Sequence, residues 1–540
     1  MLFCTLPEKI EYRSHFYWSK KEFICTMKKR LFALVLALAM TVALCACGGD
    51  KPSDQTVDPT NTGSTGEKLT GGTLTVGIAA DLDTSLDPHV SSSSAGTREV
   101  LFNIYEGLMK PDTEGNLIPA VAESCTVNET ADVYTYTLRE GVKFHNGADV
   151  TVGDVVYSLT RAAGLETGEP LVGEVKGIAS VEATDDRTVV VTLKAPDAEF
   201  NAYMSVAIIP QGIDPNDSPV GTGPFRFVSH TAQDSVVLEK FDAYWGQGAY
   251  LDKVILKVIP DPQTLVMSLR SGAIDLACHL DATQIANMAD MTVMEGSSNV
   301  IQALYLNHDF APFADERVRQ ALCYAVDKQA VIDLAMDGHG TPVGTSMLST
   351  LGRYAMPELA DYYKPDVDKA KALLKEAGYE NLSFTITVPS NYASHVGTAQ
   401  VLVEQLKAAG VDAKIDLVDW NTWLTETYQG RNFEATVSGF DSHSLSATGC
   451  LARFQSESGK NFINFRNADY DAAYAAAVSS LNADEQTALF KQCETILAQT
   501  AANVYLQDMS TFAVMQSDVG GFVYYPALYI MDLATLYRIG

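Results

Sequence analysis

Two cysteines, Cys45 and Cys47, stand one residue apart in the stretch "LCACGGD", where a hydrophobic run ends and a polar one begins. A cysteine pair can bind a metal, form a redox couple or carry a covalent group. Cysteines that bind zinc usually have two to four residues between them and need further ligands, whereas this pair is separated by a single alanine. Metal binding is therefore disfavoured, and the preceding residues indicate what the pair does.

Those preceding residues have the order of a secretory signal. Three cationic residues follow Met27, and sixteen almost wholly apolar residues, 31–46, come next. This run is shorter than the roughly 20 residues that a membrane helix needs, and small residues precede the break, as in a signal peptide. The ending "LCAC" resembles a bacterial lipobox, which implies cleavage before Cys47 and a lipid on its thiol. An ordinary signal peptide and an uncleaved anchor are the alternatives.

The lipobox divides the chain into unequal parts. Residues 1–26 carry no targeting pattern and are interpreted as a mis-called upstream start, and 27–46 as the lipoprotein signal peptide. Segment 48–70 has no aromatic and two aliphatic side chains, too few to offset the entropy of ordering. We therefore expect 47–70 to be a lipidated flexible tether. About 470 residues follow, enough for two or three domains.

The charge balance limits the possible partners. Without residues 1–46 the chain keeps 31 Lys and Arg against 64 Asp and Glu, a net charge of −33. Such an acidic surface repels phosphate backbones and anionic lipid headgroups. The sequence therefore argues against nucleic acid as a partner, and membrane attachment is expected to depend on the lipid.

Catalytic motifs are scarce. The chain contains neither a His-Glu-x-x-His zinc motif nor a Gly-x-Ser-x-Gly elbow. The five cysteines after Cys47 are widely spaced, which fits neither a disulfide framework nor a zinc site, and predicts mostly buried small side chains. Paired carboxylates for glycoside hydrolysis stay open, because their separation is spatial. Two interpretations stay open at this point: a binding module without cofactor or metal, and a secreted hydrolase of peptide or glycan.

Strands and helices alternate after the tether. "VYTYTLREGVKF" and "DRTVVVTLKA" predict strands. "KAKALLKEAGYENLSFTITV" and "TAQVLVEQLKAAGVDAKIDLV" each predict a helix, a glycine and a strand, with Gly410 closing the second helix in the left-handed conformation. Asn146-Gly147 predicts a turn with positive φ, Thr151 a helix cap, and the glycines of "GTGPF" an unusual backbone. This alternation predicts an α/β sheet core.

Six blocks in fixed order carry a family resemblance. They include "IYEGLMKPDTEGNLIPAVAES", "GTGPFRFV" and "FADERVRQALCYAVDKQAVI", and they occupy 71–89, 104–124, 136–162, 221–228, 241–277 and 313–332. Together they resemble the family 5 extracellular solute-binding proteins, the dipeptide, oligopeptide and nickel receptors of ABC importers. The resemblance covers essentially all of 71–540.

The resemblance implies an α/β type 2 periplasmic-binding-protein fold, with two lobes, a hinge and an extra domain inserted in the first lobe. On that template lobe I comprises 71–108, 214–303 and 507–540, the inserted domain 109–213 and lobe II 304–506. It also implies a monomer, tethered outside the cell membrane, that closes on a ligand and delivers it to the permease subunits of an ABC importer.

The resemblance further implies where a ligand binds. Peptide receptors of this family hold the ammonium group with an aspartate, and Asp441 in "GFDSHSLSATGCLARF" occupies that region. The segment that supplies the carboxylate-binding arginine reads "VPSNYASHVGTAQVL" and contains none, so His395, Tyr392 or Arg453 are the candidates to replace it. A longer ligand, or one without a free carboxylate, is the other interpretation.

Aromatic and histidine side chains complete the expected site. Trp420 falls where family members place an aromatic ring against the ligand, and Trp423 follows it in "DLVDWNTWL". His443 lies two residues past Asp441, and His89 in "LDPH" is at a family-typical position near the edge of lobe I. Peptide is the first expected ligand, a nickel or other metal chelate the second, and another small solute such as a sugar the third.

Overall fold

The computed structural model of the chain describes residues 66–90, 95–286, 288, 290–441, 446–526 and 530–540. The predicted upstream extension, the signal peptide, the lipid-bearing Cys47, most of the tether and His443 lie outside the described residues. No helix within these ranges is both long enough and apolar enough to cross a membrane.

Twenty strands occur in the described ranges. Their bounds are β1 Lys68–Leu69, β2 Thr73–Ile78, β3 Met109–Pro111, β4 Leu117–Pro119, β5 Ala122–Val127, β6 Val133–Leu138, β7 Ile178–Ala183, β8 Thr188–Leu193, β9 Phe225–Thr231, β10 Ser235–Lys240, β11 Lys253–Val258, β12 Leu276–Leu280, β13 Thr292–Leu306, β14 Gly340–Pro342, β15 Ser383–Pro389, β16 Asp412–Val418, β17 Ala435–Asp441, β18 Val504–Met515, β19 Val519–Gly520 and β20 Tyr537–Ile539.

The α-helices of the described ranges lie between these strands. They are α1 Ala95–Phe102, α2 Val152–Ala162, α3 Pro262–Arg270, α4 Ala282–Ile285, α5 Ala311–Ala314, α6 Glu316–Ala325, α7 Lys328–Ala335, α8 Val367–Ala377, α9 Ala393–Ala408, α10 Trp420–Thr422, α11 Ala447–Leu451, α12 Ala468–Ser479 and α13 Ala483–Gln499. A π-helical turn, Trp423–Gln429, continues α10, and the 3-10 turn Phe200–Tyr203 follows β8.

One large sheet forms the centre of both lobes. Its strands lie in the order β16, β15, β17, β13, β18, β12, β2, β11, β10, β9, and β14 pairs with β18 beside this path. The long strands β13 and β18, with 15 and 12 residues, pair along most of their length and belong to both lobes. The lobe I strands are added on one side of this pair and the lobe II strands on the other.

The two faces of the large sheet bury separate cores, because successive side chains of a strand point to opposite faces. In β13, Leu304 and Leu306 join a core that includes Leu322 of α6 and Leu402 of α9. Tyr305, between them, joins the aromatic core under α11, α12 and α13. Lobe I repeats this division along β18, where alternate residues join two cores.

A separate four-stranded antiparallel sheet, with the order β5, β6, β8, β7, lies within the region predicted as the inserted domain. It has its own hydrophobic core, in which Tyr136 and Val191 of the sheet pack against Val155 and Leu159 of α2. The domain boundaries given by the resemblance stay a prediction, but this region does bury a core of its own.

The local sequence signals have mixed outcomes. Thr151 caps α2 in a capping box with Asp154, Gly147 has φ +89°, and Gly410 after α9 has φ +86°, as predicted.

The glycines of "GTGPF" are needed for a different reason. A Cβ on Gly221 or Gly223 would collide with the backbone of residues 103–104, so close packing of two chain segments demands these glycines, and the expectation of an unusual backbone is corrected.

The buried Glu494 of α13 gives a stability prediction. Its Oε2 accepts a hydrogen bond from the Thr345 hydroxyl at 2.9 Å, and its Oε1 has no hydrogen-bond partner among the described residues. Burial raises the pKa of Glu494 to about 8. The folded state therefore keeps a proton that the unfolded chain releases above its ordinary pKa, so the contribution of Glu494 to stability falls as the pH rises from 5 to 8.

We expect Glu494→Gln to remove that slope. At pH 8 the variant should be more stable than the wild type by on the order of 2 kcal/mol, with little difference at pH 5. Denaturant unfolding measured at both pH values checks this, with Glu404→Gln on the exposed side of α9 as the control. A stability difference between Glu494→Gln and the wild type that is the same at pH 5 and pH 8 would contradict the prediction.

Candidate ligand-binding site

Three strand ends converge at one edge of lobe II. Strands β15 and β16 are parallel, and so are β15 and β17. Their carboxyl ends therefore lie at the same edge of the sheet. Tyr392 follows β15, Trp420 follows β16 and Asp441 ends β17. The register brings together three residues that the sequence analysis chose separately.

This edge faces lobe I at the point where β13 and β18 pass from one lobe to the other. Strand β17 is antiparallel to β13, and its last residue, Asp441, pairs with Val300. Strands β2 and β12 are parallel to each other, and β12, like β13, is antiparallel to β18, so their carboxyl ends point toward lobe II. Ligands of open α/β sheets bind outside the carboxyl ends of strands. The carboxyl ends of the lobe I strands and of the lobe II strands therefore meet where β13 and β18 pass between the lobes, a place called the crossing below.

Half-exposed aromatic rings line the lobe II side. Trp420 is 38% exposed and Tyr392 is 41% exposed, and their rings meet edge to face at 5.5 Å. Trp420 stacks on Trp423 with ring centroids 5.1 Å apart. Trp423 is buried and donates its indole N–H to the Thr436 hydroxyl at 2.9 Å. Trp420 and Tyr392 can therefore contact a ligand, while Trp423 supports them from below.

Further aromatic side chains, which the sequence analysis missed, extend this layer inward. Tyr428 stacks on Trp423 at 5.9 Å, and Phe440 lies 5.8 Å from Tyr428. Phe440 directly precedes Asp441 on β17, which is the one signal in the sequence that could have found it. The layer is continuous from the exposed rings to the aromatic core of lobe II.

Arg453 ends this layer with a cation. Its guanidinium lies 4.0 Å from the centre of the Phe440 ring, a cation–π distance. Its Nη1 is buried and has no hydrogen-bond partner among the described residues. A guanidinium carries five N–H donors in a planar fork that matches a carboxylate. The structure thus places this donor beside Phe440, the residue that precedes Asp441 on β17.

His395 has a different environment from the one that a carboxylate-binding cation needs. Its ring is buried in α9, and its Nδ1 accepts from the Gln302 amide at 2.8 Å. Burial lowers the pKa of His395 to about 4, so the ring is neutral at pH 7. Gln302 also accepts from Thr398 and from Gln507. His395 therefore belongs to a buried polar network, which the sequence analysis did not anticipate.

His89 has both ring nitrogens engaged within the protein. His89 is fully buried, and its Nε2 donates to the Ala207 carbonyl at 2.9 Å. Its Nδ1 accepts from the guanidinium of Arg161, which also forms an ion pair with Asp87. Burial lowers the pKa of His89. These contacts tie the chain after β2 to α2, and they leave the imidazole no free nitrogen for a ligand.

A buried carboxylate marks the crossing itself. Asp508 of β18 accepts from the hydroxyl of Ser297 at 2.7 Å and from the backbone N–H of Ser349 at 3.2 Å. Burial raises the pKa of Asp508, and these serine donors oppose the rise. The pairing of β13 with β18 shifts register between Ser297 and Ile301, beside this carboxylate. The crossing is therefore an irregular, polar point between two regular parts of the large sheet.

The described residues contain no group of three or more His, Cys, Asp or Glu side chains that could hold a metal ion. The candidate ligand contacts are instead the carboxylate of Asp441, the guanidinium of Arg453 and the exposed aromatic rings of Trp420 and Tyr392. This set can bind a molecule that carries both charges and an apolar body.

Comparison with known proteins gives a consistent result. The family model for bacterial extracellular solute-binding proteins, family 5, middle, matches residues 116–462. The dipeptide-binding protein DppE of Bacillus subtilis is 27% identical, over 93% of this chain and 98% of its own. The glutathione-binding protein GsiB of Salmonella typhimurium is 31% identical, over 77% of this chain and 85% of its own.

A solved structure shares both the fold and part of the sequence. The periplasmic binding protein DppA from Helicobacter pylori, in complex with the peptide STSA, matches with a TM-score of 0.70 and 25% identity over 87% of this chain and 99% of that one. The family match covers well over half of the chain, and relatives align along nearly all of it. The chain therefore belongs to the family 5 bacterial extracellular solute-binding proteins, and it is a binding protein and not an enzyme.

Proposed function

We propose that this protein captures peptides between its two lobes and delivers them to the permease subunits of an ABC importer. The observation that carries the proposal is the placement of Asp441, Trp420 and Tyr392 at three converging strand ends, with Arg453 against the ring of the neighbouring Phe440. The names of the relatives support peptides as the ligand class, since DppE and GsiB are named for a dipeptide and for glutathione.

Each part of the site has a role in this proposal. Asp441 accepts the ammonium group of the peptide, because hydrogen bonds between ionised groups are roughly twice as strong as neutral ones. Arg453 binds a ligand carboxylate. Trp420 and Tyr392 pack against peptide side chains, since flat amphipathic rings give large contact areas without demanding one shape. His443, two residues after Asp441 in the sequence, stays a candidate ligand contact.

Closure of the lobes is the proposed response to the ligand. A ligand that contacts both lobes favours the closed state by the difference between its affinities for the two states. Strands β13 and β18 connect the lobes at the irregular crossing beside Asp508, which is the proposed hinge. The lobe boundaries 71–108, 214–303 and 507–540 for lobe I and 304–506 for lobe II belong to this proposal.

Native mass spectrometry tests the ligand class. The chain from residue 48 keeps β1, which pairs with β20, and it is purified without denaturant. We expect a heterogeneous set of bound masses at peptide values, whose lengths show whether Arg453 reaches a terminal carboxylate. A single bound mass with a metal isotope pattern, or one at a sugar value, would replace peptide by that ligand class.

Asp441 is tested with alanine peptides of two to nine residues as probes. Asp441→Ala should weaken the affinity for the best-bound peptide at least tenfold, because a charge-assisted hydrogen bond contributes roughly 1.5 to 3 kcal/mol. Isothermal titration calorimetry measures it. Asp416→Ala, at an exposed position of the neighbouring β16, is the matched control. Equal affinities of the Asp441 variant and the wild type would remove Asp441 from the site.

The lipid anchor is tested at Cys47. We propose that the mature protein is held on the outer face of the cell membrane by a lipid on this thiol, as a monomer. Cys47→Ala should remove the acyl group and move the protein from the membrane fraction to the medium, because the tether and the acidic domain have no other affinity for lipid. Cell fractionation with immunoblotting measures this, and Cys45→Ala is the control. Continued membrane association of the Cys47 variant contradicts a lipid anchor at this position.

A further inference from the structure

Glu199 joins two parts of the fold that lie far apart in the sequence. Its Oε2 accepts hydrogen bonds from the Ser446 hydroxyl at 2.7 Å and from the Thr448 backbone N–H at 2.8 Å. Its Oε1 accepts from the Tyr354 hydroxyl at 2.9 Å. Beside this carboxylate, the Ala198 backbone N–H donates to the carbonyl of Val478 at 2.8 Å. Four hydrogen bonds thus connect the end of β8 to lobe II.

The contact connects two hydrophobic cores that are otherwise separate. Phe200 and Met204, next to Glu199, pack in the core of the four-stranded sheet. Tyr354 and Ala447 pack in the aromatic core of lobe II. Each core is built from its own side chains, so the Glu199 contact is not needed to form either one. A contact of this kind is suited to holding the four-stranded sheet and lobe II in one relative arrangement.

The contact also lies close to the proposed ligand site. Ser446 follows Asp441 by five residues, so their Cα atoms are no more than about 18 Å apart. Ser446 is fully buried, and its hydroxyl also accepts the Gly449 backbone N–H at 3.3 Å as the cap of α11. The carboxylate therefore fixes the start of the helix that follows the strand bearing Asp441.

We propose that Glu199 is a positioning residue for ligand capture, which ties the four-stranded sheet to the start of α11, the helix that follows the strand bearing Asp441. This inference rests on the proposed function. Movement of the four-stranded sheet away from lobe II breaks all four hydrogen bonds. The Glu199 contact exists only while the four-stranded sheet lies against lobe II, and a ligand held by Asp441 is proposed to favour that same arrangement. Ligand binding and the Glu199 contact therefore strengthen each other.

Three variants of the mature chain test this inference. Glu199→Ala removes the carboxylate, and Tyr354→Phe removes one donor while it keeps the ring that packs in lobe II. Glu182→Ala, at an exposed position of β7 in the same four-stranded sheet, is the matched control. The measurements are hydrogen exchange of residues 439–441 and 446–451, and the affinity for the alanine peptide that the wild type binds most tightly. Thermal unfolding shows that each variant is folded.

We expect Glu199→Ala to speed exchange of 439–441 and 446–451 and to weaken the peptide affinity about tenfold. Tyr354→Phe should act in the same direction with a smaller effect, and Glu182→Ala should change neither. Peptide should increase the protection of residues 197–203 in the wild type and not in Glu199→Ala, which a purely structural role does not predict. Unchanged exchange and affinity in Glu199→Ala would overturn the inference.

The same design separates this inference from the proposed function. A wild-type protein that binds none of the alanine peptides contradicts the peptide proposal. In that case the hydrogen exchange of residues 439–441 alone tests the positioning role of Glu199. Faster exchange in Glu199→Ala than in Glu182→Ala supports the positioning role, and equal exchange in the two variants overturns it.

Discussion

The antiparallel pairing of β13 with β18 is the constraint on which the rest of the structure depends. It runs from Thr292 opposite Met515 in lobe I to Leu304 opposite Val504 in lobe II. Every other strand of the large sheet is added outward from this pair, so the pair fixes each strand's direction and the edge at which it ends. Because β17 runs against β13 while β12 and β2 run along it, the carboxyl ends of both lobes face each other.

The polar groups at this crossing follow from the same constraint. Two long strands that serve two lobes must pass through a region where neither core covers them. There the structure places Asp508 with its serine donors, and Gln302 with Gln507 and His395. Buried polar groups are costly unless they are hydrogen-bonded, so these bonds specify one arrangement of the two strands. The register shift between Ser297 and Ile301 interrupts the ladder at this place, where a hinge needs the fewest regular bonds.

Local features of the fold could be predicted from the sequence, and the family resemblance is confirmed. Gly410 and Thr151 act as predicted because a helix end depends on a few adjacent residues. The other interactions depend on chain segments that are distant in sequence. Glu199 meets Ser446 across about 250 residues, and nothing near either residue signals the contact. In the predicted site, the convergence of Asp441, Trp420 and Tyr392 could be seen only from the strand register. The burial of His89 and His395 could be seen only from the tertiary structure.

The charges at the crossing favour one ligand class over the others. Arg453 has a buried donor without a partner in the part of the chain that the structure describes, and an unsatisfied buried donor costs roughly 1 to 3 kcal/mol. A peptide brings an ammonium group, which the Asp441 carboxylate can accept, and a carboxylate, which the Arg453 guanidinium can bind. An uncharged sugar leaves the guanidinium without a counter-ion. A metal held directly needs several ligands close together, and the described residues contain no group of three or more His, Cys, Asp or Glu side chains that could supply them. A zwitterion with an apolar body therefore matches this set of side chains better than either alternative.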